Sequence, residues 1–191
     1  MKPIKKLVLA SNSPRRKQLM TDLGFDFTVE VRPTDEVFPA DMPPADVPGY
    51  LASQKADQFL EDINGRVILC ADTVVICGGQ ILNKPADDKE AAEMLNFLSG
   101  KSHEVVTAVH ILTESHRKTI TDSATVVFRN LTAAEIDYYI QKCQPFDKAG
   151  AYGIQEWIGM VGIERIEGSF YTIMGLPVHL VYTELSDFFV T

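Results

Sequence analysis

The 191-residue chain is 46% hydrophobic and 23% charged, with a formal net charge of −8. Those proportions describe a globular protein long enough to bury a sizeable core, and the acidic balance argues against a general nucleic-acid surface. No apolar run approaches the ~20 residues of a membrane span, and the basic start MKPIKK meets a polar turn too soon for a secretion signal, so no membrane partner and a cytoplasmic location are expected.

Residues 7–10 read as a short buried strand, and Ser-Asn-Ser turns the chain into a helix that begins at Pro14 with Ser13 as N-cap. Leu19, Met20 and Leu23 give that helix an apolar stripe, and Gly24 supplies a stop. Arg15, Arg16 and Lys17 crowd its first turn, where the helix dipole disfavours positive charge. Either they are solvated surface residues, or an anion sits there among amides, hydroxyls and guanidinium groups. Without an anion, a neutral helix former at position 16 is expected to stabilise the fold slightly.

Residues 25–31 read as a second strand, followed over 32–48 by a mobile loop with five prolines among several acidic residues. A helix is expected over 47–63, then a long β-rich run over 67–77 that turns at Gly78-Gly79 into a hairpin strand over 80–83. Asp87 or Asp88 caps a helix through Leu98, stopped at Ser99-Gly100. Residues 103–112 and 119–128 alternate as two antiparallel strands, and Thr132 with Glu135 forms a capping box for another helix. Residues 147–171 read as a glycine-rich stretch, and Pro177 opens a last helix ending in Phe188-Phe189. The pattern is one α/β domain over 1–191 with a mixed sheet.

Several residues break the periodicity. Lys55 recurs with Leu51 and Phe59 on the apolar stripe of its helix; it is either a lysine snorkelling at the stripe's edge or an ammonium aimed into a cleft. Asp72 interrupts VILCADTVVIC, where a carboxylate costs several kcal/mol unless it is paired, hydrogen-bonded, metal-bound or able to reach water. Lys84 follows the hairpin in LNKP, and one cavity could take both. In DKAGAYGIQ, Lys148 precedes Gly150 and Gly153, either a plain glycine turn or a place where backbone meets a ligand closely. Cys70, Cys77 and Cys143 show no CxxC spacing and read as reduced thiols rather than a zinc site. The four histidines form no metal pattern, and neither a nucleophile elbow nor a phosphate-binding P-loop motif occurs.

Taken in order, SNSPRR, the QKA around Lys55, ADTVV, NKP, LSGKSHEVVTAV, DKAGAYGIQ and GSFYTIMGLP resemble the Maf family of nucleoside triphosphate pyrophosphatases over nearly the whole chain. The resemblance implies a two-lobed α/β fold with a mixed, largely antiparallel sheet flanked by helices, similar to inosine triphosphatases. It implies cleavage between the α- and β-phosphates of a nucleoside triphosphate with Mg²⁺ or Mn²⁺, and a cytosolic homodimer. By the same resemblance Asp72 is the proton acceptor, and Ser11, Ser13, Arg15, Arg16, Lys55, Lys84 and Lys148 meet the substrate. Asp72 and Glu36 are the implied metal ligands, Glu36 being preferred to Asp35. Arg15, Thr73 and Gln155 match the specificity positions of the branch that acts on dTTP and UTP, while the 7-methyl-GTP branch differs there. Thr172 departs from the asparagine of many relatives. The rival expectation is a nucleotide-binding regulator of cell division without turnover.

Overall fold

Leu7, Val8 and Leu9 are three successive residues, each at most 1% exposed, the mark of a strand covered on both faces. In the computed structural model, which describes residues 2–3 and 5–190 and the side chains of 5–186 and 188, they belong to β2. In chain order the elements begin with β1 (Lys2–Pro3), β2 (Lys6–Leu9), α1 (Pro14–Asp22), β3 (Thr28–Val29) and α2 (Val47–Asp57). There follow β4 (Arg66–Cys77), β5 (Gln80–Leu82), α3 (Asp88–Leu98), β6 (Ser102–Leu112), β7 (Arg117–Phe128) and α4 (Ala133–Cys143). The chain ends with α5 (Trp157–Gly162), β8 (Ile163–Glu167), α6 (Phe170–Met174), α7 (Val178–Leu185) and β9 (Phe189–Val190).

The main sheet has the order β3-β2-β4-β6-β7-β8, with β5 beside β4. β2 pairs in parallel with β3 and β4, whereas β4–β5 and β7–β8 are antiparallel, so the sheet is mixed and mostly antiparallel. Gly78 and Gly79 both adopt positive φ, which makes the tight β4–β5 turn. β1 and β9 form a separate antiparallel pair.

Two compact units share the chain. The first holds the residues up to Asp72, Thr107–Asp122 and those from Gly175 onward; the second holds Thr73–Val106 and Ser123–Met174. In the first unit, Val8, Ala10, Ala56, Phe59, Ile68, Cys70 and Leu112 pack as one apolar cluster. Here the expected strand over 25–31 contracts to two residues: Phe25 is buried outside any strand, while Val29 and Val31 are exposed. The helix expected over 47–63 ends at Asp57, and a 3₁₀ turn over Leu60–Asp62 follows. Arg32 accounts for that stop: its Nη1 donates to the Gln58 carbonyl at 2.7 Å, and its guanidinium lies 4.2 Å from the Phe59 ring centroid.

In the second unit, Ala124, Val126 and Phe128 alternate into the core from β7. Val126 and Phe128 join Val75, Leu95, Leu98, Ile136 and Tyr139 in a larger cluster. Asp87 caps α3 through Glu90 N–H, and Thr132 with Glu135 makes the expected capping box on α4. The glycine-rich stretch over 147–171 is more ordered than its composition suggests, carrying a 3₁₀ turn over Ala149–Ala151, then α5, β8 and the start of α6. Packing explains it. A Cβ at Gly150, where φ is +68°, would lie 3.0 Å from a Val75 methyl, and one at Gly159 would lie 1.9 Å from the Ile154 carbonyl oxygen. The cysteines are all free thiols, and burial pushes Cys70 up to about 12.

Candidate active site

The N-terminus of α1 answers part of the charge puzzle. The Ser13 hydroxyl accepts from Arg16 N–H at 3.4 Å, and Ser13 N–H donates to the Ser11 hydroxyl at 3.2 Å, so SNS is a local hydrogen-bonded cap. Arg16 turns back from the first turn: its Nε donates to the Gly175 carbonyl at 2.8 Å and its Nη1 to the Ala71 carbonyl at 2.9 Å. Burial holds the guanidinium below its ordinary range; the charge of Asp72 acts the other way, and Arg15 reinforces the lowering. These bonds argue against the expectation that a neutral residue at 16 would stabilise the fold. Arg16 ties the helix start to β4 and to the residue before Leu176-Pro177, and its loss would orphan buried carbonyls.

Lys55 is the centre of the first unit's charge cluster. α2 carries it on the same face as Leu51, yet its Nζ lies 2.5 Å from Asp72 Oδ1 and 2.7 Å from Glu36 Oε1. Burial alone would lower the ammonium; the Asp72 charge and the hydrogen bonds to Asp72 and Glu36 outweigh it and raise it. Asp72 lies mid-strand in β4 and not at a strand end, and its side chain is 14% exposed. The proline-rich loop therefore delivers one carboxylate, Glu36, to the same ammonium that holds the strand carboxylate. Ser11, Ser13, Arg16, Glu36, Lys55 and Asp72 are thus connected within one unit, and Arg15 lies beside Arg16 in the same helical turn.

The second unit begins at Thr73 and holds the remaining predicted residues. Asn83 of the LNKP segment accepts from Gly150 N–H at 3.1 Å, which joins that segment to DKAGAYGIQ. Lys84 is exposed just beyond this junction. Lys148, read from sequence as a substrate ligand, is buried and its Nζ lies 2.7 Å from Asp147 Oδ1 and 3.0 Å from Glu156 Oε1. Glu156 also accepts from the Tyr139 hydroxyl, which in turn accepts from Gly153 N–H at 3.0 Å. Gln155 is exposed. Gly150, read as either a glycine turn or a point of ligand approach, sits at positive φ and is packed closely by Val75. Sequence reading passed over Tyr139 and Glu156, because a tyrosine among Ile136 and Ile140 looks like plain core.

Among the described residues no group of three or more His, Cys, Asp or Glu side chains is placed to hold a metal. Around Lys55, the carboxylates of Asp72 and Glu36 share one ammonium. No helix among the described residues is long and apolar enough to cross a membrane.

A mixed sheet flanked by helices, with a serine-capped, arginine-bearing helix start and a lysine shared by two carboxylates, defines an α/β protein. The Staphylococcus aureus Ham1 protein has the same fold: TM-score 0.57 over 96% of this chain and 99% of that one, at 14% identity. The chain belongs to the Maf family, since a family model described as Maf-like protein matches residues 6–188. Proteins named dTTP/UTP pyrophosphatase are similar to it nearly end to end. That of Bacteroides thetaiotaomicron is 49% identical, covering 94% of each chain. That of Porphyromonas gingivalis is 49% identical over 96% of this chain and 94% of its own. That of Christiangramia forsetii is 42% identical over 95% and 93%.

Proposed function

We propose that this protein is a nucleoside triphosphate pyrophosphatase that hydrolyses dTTP and UTP, and modified pyrimidine relatives of them, to the monophosphate and pyrophosphate. The observation that carries the reading is Lys55 bridging Asp72 and Glu36 beside the buried Arg16, in a chain 42–49% identical to proteins bearing that name. Transfer of a phosphoryl-type group needs positioning and charge neutralisation more than covalent participation. Asp72 takes the proton of the attacking water, and Lys55 fixes the orientation of its carboxylate. Arg15, Arg16, Lys55, Lys84 and Lys148 offset charge on the phosphates, and Ser11 and Ser13 donate to their oxygens.

Asp72 and Glu36 would hold Mg²⁺ or Mn²⁺. Their fit rests on two hard carboxylate oxygens that already share one cation, the Lys55 ammonium. Such an ion, when bound, neutralises charge on the phosphoryl oxygens. The single-domain reading of 1–191, the cytoplasmic location, the homodimer and the absence of nucleic-acid or membrane partners belong to the same proposal.

Base choice falls to Gln155, with Thr73 and Arg15 at the other specificity positions. A primary amide offers a donor and an acceptor side by side, matching O4 and N3–H of uracil or thymine, while a carboxylate would suit guanine. A pyrophosphate-release assay across UTP, dTTP, CTP, GTP and 7-methyl-GTP, with Mg²⁺ and with chelator, tests the reading. UTP and dTTP should be cleaved with comparable kcat/KM, ahead of the others, and chelator should abolish turnover. Gln155→Glu should lower UTP cleavage more than tenfold, since lost pairing is worth over ~1.4 kcal/mol. Preference for 7-methyl-GTP would overturn the assignment.

A further inference from the structure

The second unit contains a side-chain brace of which only Lys148 has been given a role above. Its parts run in series: Gly153 N–H donates to the Tyr139 hydroxyl, that hydroxyl donates to Glu156 Oε2, and Glu156 Oε1 pairs with Lys148. Lys148 and Glu156 therefore close the segment between them side chain to side chain, and α4 pins its middle through Tyr139. Gln155 lies inside this closed segment. Three details fit a brace rather than chance contacts. Tyr139 is fully buried, Lys148 is 8% exposed and Glu156 21%, so the bonds are shielded from competing water. Glu156 holds the N-cap position of α5, but its side chain makes no capping bond and is committed to Tyr139 and Lys148 instead. At Gly153 a Cβ would come within 2.8 Å of the Glu156 carboxyl carbon and 3.0 Å of Gln155 Nε2, so both side chains close over this backbone at the glycine.

We propose that Tyr139 and Glu156 are positioning residues for base selection, holding the Gly153–Gln155 backbone so that the Gln155 amide is presented in one orientation. The inference rests on Gln155 reading the base, as proposed above. The brace has a second consequence for specificity. A free carboxylate next to the base reader would accept from the N1–H and amino group of guanine. The Tyr139 hydroxyl and the Lys148 ammonium both donate into Glu156, leaving the carboxylate already engaged. Burial, with the bond to Glu156, pushes the Tyr139 phenol well above its ordinary range, so it remains a donor throughout the physiological span.

Tyr139→Phe keeps the ring and removes the relay; Glu156→Gln keeps an acceptor for Tyr139 and removes one of the two carboxylate charges that Lys148 faces, leaving Asp147. Both are compared with wild type by pyrophosphate release on UTP and GTP, and by amide hydrogen exchange of the full chain. Tyr139→Phe should lower the UTP-over-GTP ratio of kcat/KM about tenfold, mostly through KM for UTP, with kcat within threefold. Glu156→Gln should shift the ratio in the same direction by a smaller factor. Exchange at the Gly153 amide should quicken in Tyr139→Phe while the α4 amides keep their protection, a pattern that general destabilisation does not produce. If both variants hold the ratio within twofold of wild type, or Gly153 exchange is unchanged, the proposal is overturned. Should Tyr139→Phe fail to fold, the ratio in Glu156→Gln decides. Wild type that ignores UTP would overturn the functional reading instead, and the exchange result would still judge the brace.

Discussion

Asp72 and Arg16 look alike as sequence anomalies, a charge in a strand and a cation at a helix start, but the structure gives them different physics. Asp72 is held by an ammonium 2.5 Å away and is otherwise poorly tolerated in β4. Asp72→Asn preserves the size and an acceptor for Lys55 but cannot take a proton from water. Turnover should therefore fall ~10²-fold or more while the thermal midpoint changes little. Steady-state kinetics beside a melting curve checks both halves, and wild-type-like kcat removes Asp72 from the mechanism. Arg16 serves the fold as well as any anion. Arg16→Ala strips donors from the Ala71 and Gly175 carbonyls, and unfolding in urea without nucleotide should show a loss of ~1–3 kcal/mol. Unchanged or raised stability would restore the reading of Arg16 as a purely ligand-facing cation. The carbonyl partners of the Arg16 side chain lie 55 and 159 residues away in sequence, which is why no local pattern announced them.

Elements whose ends are decided locally were legible in the sequence, and elements decided by distant packing were not. α4 is the clear local case: the Thr132 hydroxyl accepts from Glu135 N–H at 3.3 Å, and Glu135 Oε2 accepts from Thr132 N–H at 2.8 Å. Arg129 adds a 2.6 Å pair to the same carboxylate. That hydrogen bond first, and the Thr132 bonds next, hold Glu135 down at about 2. Its contribution is therefore present above the ordinary glutamate range near 4.5 and is lost as pH falls toward 2. Thr132→Ala should cost about 1 kcal/mol at neutral pH by urea denaturation, and an effect below a few tenths would mean that tertiary packing alone fixes the start of α4. By contrast, periodicity ran α2 past Asp57, because nothing between 57 and 63 forbids a helix; the stop comes from Arg32, more than twenty residues earlier. The glycine richness of 147–171 likewise named no element there, because two of its glycines, Gly150 and Gly159, answer to close packing on Val75 and Ile154. The candidate site divides in the same way. Asp72, Lys55 and the serine cap stood out as local irregularities, whereas the Tyr139–Glu156–Lys148 relay has no local signature at all.

At the scale of the whole molecule, each unit buries one neutral histidine, and the pair sets how the fold answers acid. In the second unit His103 Nε2 lies 2.7 Å from the Tyr152 hydroxyl, its ring stacks on Phe128, and its Nδ1 is buried without a hydrogen-bond partner among the described residues. In the first unit His110 Nδ1 lies 2.7 Å from the Thr119 hydroxyl, and its Nε2 is likewise buried without a partner. A neutral imidazole needs one donor and one acceptor contact; protonation adds a second N–H with no acceptor to receive it. Burial pushes His103 down to about 4, and burial, followed by the charge of Arg117, does the same to His110. The unfolded chain, with histidine near 6.5, then binds more protons than the folded one throughout the interval between those values. Stability is consequently full above pH 6.5 and declines as pH falls toward 4, by on the order of 3 kcal/mol per histidine if the whole interval is traversed. Unperturbed carboxylates titrate near 4, below the interval from pH 6.5 to 5, so the slope there is expected from the histidines. Urea denaturation at half-unit steps should show a plateau above pH 7 and a steady fall from 6.5 downward. Replacing both histidines by glutamine should lower the plateau, through lost packing, and flatten the slope; a wild-type curve level from pH 7 to 5 would show that both rings accept a proton inside the fold.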